Sequence, residues 1–219
     1  MTTFTKHAKS KAAFLLAALL LLLLLGNVVF AAPPATSYTP QVRAIDTNDS
    51  SGVTMSDFMT YSEMLDYMVN EKGIPFSIAA STFPATRAVT RSGTYRVLSV
   101  TLTVENRPSY TPTLDFYCEV SVGDGVWGIM NIYSVQMNRS SNGLVKQFDG
   151  EVQVWLRSAE RIEYIVNGDF YNTGTTTSSS SGSIDLNIGD YGKLTFSASS
   201  TTTGNWYGYC YCSAIKKFT

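Results

Sequence analysis

From Leu98 onward the chain alternates apolar and polar residues at a period of two, and that rhythm restricts it to a sheet-built fold. Leu98, Val100, Leu102 and Val104 alternate with Ser99, Thr101, Thr103 and Glu105. Leu114, Phe116, Cys118, Val120 and Val122 alternate with Asp115, Tyr117, Glu119 and Ser121. Successive side chains of a strand point to opposite faces, so each run predicts a strand with one buried face. Comparable runs occupy residues 126–137, 151–157, 161–166, 184–188, 193–199 and 206–215. Turn signals separate them at Gly123-Asp124-Gly125, Asn142-Gly143 and Asn167-Gly168. Asn-Gly is the strongest of these, because both residues tolerate the positive φ of a tight hairpin. The pattern predicts a mainly β fold, an antiparallel β-sandwich or flattened barrel of about eight or nine strands.

One segment breaks the rhythm. Residues 54–72 predict an amphipathic helix at the N-terminal end of the domain. Thr60 and Glu63 have capping-box spacing, Gly73 suits the C-terminal stop, and Pro75 follows. Phe58, Tyr61, Met64, Leu65, Met68 and Val69 gather on one side of a helical wheel, with Glu63, Asp66 and Asn70 opposite. The helix begins either near Ser56 or at Tyr61, and it would cover an open edge or end of the sheets.

The first 31 residues have the pattern of a secretory signal. Lys6, Lys9 and Lys11 precede an uncharged stretch, 12–32, that contains a leucine run at 19–25. Val29-Phe30-Ala31 then places small residues where a signal peptidase reads. The same stretch is 21 residues long, enough to span a membrane if left uncleaved. An anchor through 12–32 is therefore the alternative to secretion, and both readings put the rest of the chain outside the cytoplasm. Residues 32–53 hold Pro33, Pro34 and Pro40 among Thr, Ser, Asn and Asp, and predict a flexible tether. Residues 54–219 then form a single domain.

Removing residues 1–31 leaves 13 of the 16 basic residues against 17 acids, so the net charge moves from −1 to −4. A mildly acidic surface argues against nucleic acid as a partner. The chain's one histidine, His7, leaves with the signal. Histidine-dependent triads and histidine-ligated zinc are thereby excluded, and no cofactor or metal is expected.

Cys118, Cys210 and Cys212 are the three cysteines. In an oxidising compartment a disulfide from Cys118 to Cys210 or Cys212 is expected, closing a loop of about 90 residues. The odd thiol is either a small buried hydrophobe or a group that pairs with a partner. Residues i and i+2 of a strand lie roughly 6.6–6.8 Å apart, so a Cys210–Cys212 bridge is disfavoured.

The last strand carries the candidate binding site. If its cysteines face inward together with Trp206 and Ala214, then Tyr207, Tyr209 and Tyr211 form an outward row. Such rings stack on the apolar faces of sugars, with Asn205 and Gly208 letting a ligand approach. The structural alternative is that tyrosine is a favoured strand residue and stabilises sheets through cross-strand pairs.

Carboxylates give little support for catalysis. A glycosidase needs two of them roughly 5–9.5 Å apart. Asp115, Glu119, Asp149, Glu151, Glu160, Glu163 and Asp169 are the candidates. Asp115 and Glu119 share a strand face but stand roughly 13 Å apart along it. The plainer reading makes all of them solvated charges on outer faces.

Residues 171–183 are rich in Gly, Ser and Thr and read as a solvated loop. A pore-forming strand pair would also show alternating lipid-facing apolar residues, which this stretch lacks. Asn48-Asp49-Ser50 and Asn138-Arg139-Ser140 are glycosylation sequons. The sequence thus leads to an exported, non-enzymatic β protein with a binding or structural role and a glycan or protein partner outside the cell. A glycan-binding module built on the tyrosine row is the sharper alternative. A pore-forming or hydrolytic protein is the remote one.

Overall fold

Alternation and turn chemistry together produce two five-stranded antiparallel sheets. The computed structural model describes residues 52–82, 93–178 and 184–218. The leader, the tether as far as Ser51, and residues 179–183 lie outside the described residues. The described residues belong to one compact unit.

In chain order the elements are β1 (Val53–Met55), helices α1 (Tyr61–Asn70) and α2 (Phe76–Thr82), then β2 (Thr94–Thr101), β3 (Thr113–Gly123) and β4 (Val126–Asn138). A small ribbon of β5 (Ser140–Ser141) and β6 (Leu144–Val145) follows. The chain continues through β7 (Gln147–Ser158), β8 (Arg161–Tyr171), β9 (Thr176–Ser178), β10 (Leu186–Asn187), β11 (Tyr191–Ala198) and β12 (Trp206–Lys217). The first sheet has the order β1-β2-β3-β4-β10 and the second β12-β8-β7-β11-β9. These strands outnumber the sequence reading because five of them are only two or three residues long. One of the short strands, β9, lies within the stretch read as a loop.

Two hairpins close as their residues dictate. Asp124 and Gly125 have φ of 52° and 76°, and Asn142 and Gly143 have 51° and 75°. Two successive positive φ values match the right-handed twist of the flanking strands. Asn167-Gly168 is different. It lies inside β8 and makes no turn. Gly168 faces Gly150 of β7 beneath the Phe148 ring, and a Cβ on either glycine would strike the opposite backbone. The glycine there serves close strand approach.

One apolar cluster joins the two sheets. Leu98, Val100, Leu114, Phe116 and Ile132 of the first meet Val152, Val154, Leu156, Tyr164 and Val166 of the second. The Phe116 ring lies 6.0 Å from Tyr164 and 6.4 Å from Phe218. A second cluster lies on the other face of the first sheet. There Met64, Leu65, Met68 and Ala79 cover Tyr95, Val97, Tyr117 and Tyr133.

The helical segment is shorter than the sequence pattern suggests, and it is followed by a second helix. Thr60 caps α1, and Glu63 reaches back to the Thr60 backbone N–H at 2.7 Å. Residues 53–55 pair with β2 instead of extending the helix, and Met59 makes a further bridge to Tyr95. Gly73, at φ 66°, ends α1, and α2 begins just after Pro75. Among the described residues no helix is long and apolar enough to cross a membrane.

Candidate functional site

Sheet pairing decides which side chains reach the outer face of the second sheet. The register places Tyr209 opposite Asp169 and Tyr211 opposite Asn167. Across the next pair of strands, Asp169 stands opposite Asp149, Asn167 opposite Glu151, and Glu163 opposite Trp155. Trp155 in turn faces Tyr191 on β11. The outer face is therefore a grid of aromatic, amide and carboxylate groups.

The tyrosine row is only partly realised. Trp206 pairs with Tyr171 and Gly208 with Phe170, so Tyr207 is the extra residue of a β-bulge. A bulge re-aims the side chains beside it. Tyr207 turns toward the core, with its ring 5.4 Å from Tyr110 and between the cations of Arg107 (4.9 Å) and Lys146 (4.2 Å). Trp206 turns the other way and takes its place outside. Its indole Nε1 donates to Asp169 Oδ1 at 2.8 Å, while 45% of the residue stays exposed. Tyr209 Oη donates to Asn167 Oδ1, also at 2.8 Å. The aromatic group on this corner is Trp206, Tyr209 and Tyr211. The sequence reading had Trp206 inside and Tyr207 outside, because strict alternation carries no mark of a bulge.

A second aromatic pair, Trp155 and Tyr191, lies at the diagonal corner with ring centroids 4.8 Å apart. Four residues of strand separate the Tyr211 row from the Trp155 row, roughly 13 Å. Between those rows lie Gln153 and Lys193, and Lys193 is ion-paired to Glu151 of the Tyr211 row. Burial pushes the Tyr171 hydroxyl above its ordinary value, and Asp169 and Asp149 push it further the same way.

Asn205 is not on this face. It is buried and clasps three strands of loop. Its Nδ2 donates to the carbonyls of Thr173 and Ser200, and its Oδ1 accepts from Thr173. Its place is structural.

The carboxylates divide by sheet. Asp115 and Glu119 are buried beneath the helices, so the expectation of solvated outer-face charges fails for both. Asp115 accepts from Lys72 Nζ at 2.8 Å and from Thr113 Oγ1 at 2.9 Å. Asp149 and Asp169 are cross-strand neighbours, but each already has a partner. Asp149 accepts from the Ala198 N–H and Asp169 from Trp206. Among the described residues no three His, Cys, Asp or Glu side chains are placed to hold a metal.

None of the cysteines forms a disulfide in the structure. Cys118 and Cys210 are fully buried in the larger apolar cluster, and burial pushes both thiols upward. Cys212 is partly exposed, with its sulfur 3.9 Å from Tyr164 Oη.

Comparison with protein-family models, curated proteins and solved structures finds no match for the chain.

Proposed function

We propose that the two sheets stack as a sandwich, and that the chain is an exported, non-enzymatic protein that binds glycans on the outer face of the second sheet. The sandwich reading is supported by the apolar cluster that draws on both sheets. Export is supported by the basic, apolar, small-residue order of the leader. The observation that carries the binding role is the pinning of Trp206 to Asp169 and of Tyr209 to Asn167. Both rings are held in place before any ligand arrives, which lowers the ordering cost of binding. Polar groups lie beside each ring and can meet sugar hydroxyls.

A non-enzymatic role fits the same geometry. The face is open, whereas catalytic groups work in sites that exclude water. Asp149 and Asp169 are engaged in holding the sheet and the indole.

Retention on a glycan array and on insoluble polysaccharides tests the reading. Trp206→Ala and Tyr209→Ala should each weaken retention roughly tenfold, about 1.4 kcal/mol, with the melting temperature kept. Retention unchanged in both variants would remove this face from consideration.

A further inference from the structure

The first sheet carries a cleft that glycan binding on the second does not use. It lies between α1 and the β1 edge of the sheet and holds about 720 Å³. That is within the roughly 300–1,000 Å³ usual for small-molecule sites. Its floor is polar because strand register brings hydroxyl and amide residues to one face. Thr54 of β1 stands opposite Ser99 of β2, and Ser99 opposite Asp115 of β3. Two residues along β3, Thr113 stands opposite Asn138 of β4.

Part of this floor is already matched. Asp115 accepts from Lys72 Nζ and from Thr113 Oγ1, so the charges there cancel and no ion is called for. Ser99 is different. It lines the cleft at only 9% exposure, and its hydroxyl has no hydrogen-bond partner among the described residues. A buried hydroxyl left so carries a desolvation cost with nothing to offset it. Beside it the Thr54 hydroxyl has no described partner either. Asn138 uses only its Oδ1, which accepts from the Ser140 N–H, and its Nδ2 is left to donate. The cleft thus offers two hydroxyls that donate and accept and one amide that donates. Met55 and Phe58 add apolar lining, each 44% exposed. Open apolar side chains beside unpaired hydroxyls suit a ligand with a hydroxylated edge and a C–H face, which is the chemistry of a sugar. Apart from Lys72, the charged groups lining the cleft are Asp57 and Glu63, and both disfavour an anion. Ser99 and Asn138 stand two strand spacings apart, roughly 9–10 Å, the reach of two sugar rings.

We propose that this cleft binds a neutral disaccharide. Ser99 Oγ and Thr54 Oγ1 exchange hydrogen bonds with hydroxyls of one ring, and Asn138 Nδ2 donates to the other. The C–H face of the first ring lies against Phe58 and Met55. The site is on the other sheet from the glycan face and stands independently of it.

The probes are maltose, cellobiose, lactose and sucrose, each added to the full chain. Saturation-transfer NMR should show magnetisation passing from the protein to the ring protons of at least one of them. Thermal unfolding should shift upward saturably with that sugar, as binding to the folded state alone requires. Ser99→Ala should weaken its affinity roughly tenfold. The melting temperature of the free variant should be kept, because the hydroxyl removed has no partner there. Thr54→Val, at the exposed end of the same pair, should weaken binding similarly, and it decides the matter if Ser99→Ala fails to fold. Trp206→Ala should leave the disaccharide bound, which separates this cleft from the face around Trp206. The proposal is overturned by no transfer to any of the four sugars, by unchanged affinity in folded Ser99→Ala or Thr54→Val, or by loss of binding in Trp206→Ala.

Discussion

Gly150 and Gly168 face each other across β7 and β8, and the Phe148 ring closes over both. Gly168→Ala would push a methyl into the Asp149 carbonyl and the ring together. The cost is about 2–3 kcal/mol, read as a lower urea midpoint at an unchanged slope. Lys72 and Asp115 pose the opposite problem, a charge that needs its partner. Burial lowers the Lys72 ammonium, but the hydrogen bond and charge of Asp115 outweigh it, so the group lies above its ordinary value. Removing the amine with Lys72→Met leaves Asp115 without its cationic partner at 1% exposure. The expected loss is about 2–4 kcal/mol, less than for a fully buried pair because Lys72 keeps some water. The cysteines differ in burial. Native protein treated with iodoacetamide should label Cys212 first, with Cys118 and Cys210 protected until unfolding. Mass spectrometry of the peptides reads that order.

At the scale of elements, β3 shows what a sequence pattern holds and what it hides. Its alternation correctly marked a strand, and Leu114, Phe116, Cys118 and Val120 do enter the core. The polar half of the alternation was read as a wet face, yet Asp115, Tyr117 and Glu119 are buried too. Their cover is α1 and α2, and nothing within β3 announces a helix that packs from a distant stretch of chain. The Thr60–Glu63 cap was legible because capping is a local interaction. The bulge at Tyr207 was not, because an extra residue exists only relative to a partner strand. The same is true of the bulge in β4 that lets Tyr133 Oη donate to Glu119 Oε2 at 2.6 Å. Burial, and then that hydrogen bond, raise the Tyr133 hydroxyl from 10.0 to about 12. Folded protein thus holds the proton more tightly than the unfolded chain does. The stability so gained is fully present below pH 10 and is lost as pH climbs toward 12. Tyr110 and Tyr117 are pushed upward by burial and add to the same trend. Urea unfolding from about pH 8 to about pH 11.5 should show stability falling above pH 10, and Tyr133→Phe should flatten the fall.

Across the whole molecule, the two clusters are unequal in size. Among the described residues the cluster that draws on both sheets holds 26 buried side chains and the one beneath the helices eight. The larger is tied together by long cross-strand ladders, including eleven register pairs between β12 and β8. The smaller depends on one short helix, a shorter one, and the faces of Tyr95, Val97, Tyr117 and Tyr133. Local opening follows the weaker set of contacts, so α1 and α2 should separate from the sheet at a lower free energy than global unfolding requires. Native-state hydrogen exchange measures this directly. Amides of β3, β7 and β8 should exchange only through global unfolding, and those of α1 through a smaller opening. Met68→Ala removes a fully buried side chain of the helix cluster, at a cost of about 2–4 kcal/mol. The loss should appear in full in the α1 amides and only in part in those of β7. Equal losses in both would mean that the helices and the two sheets open as one unit.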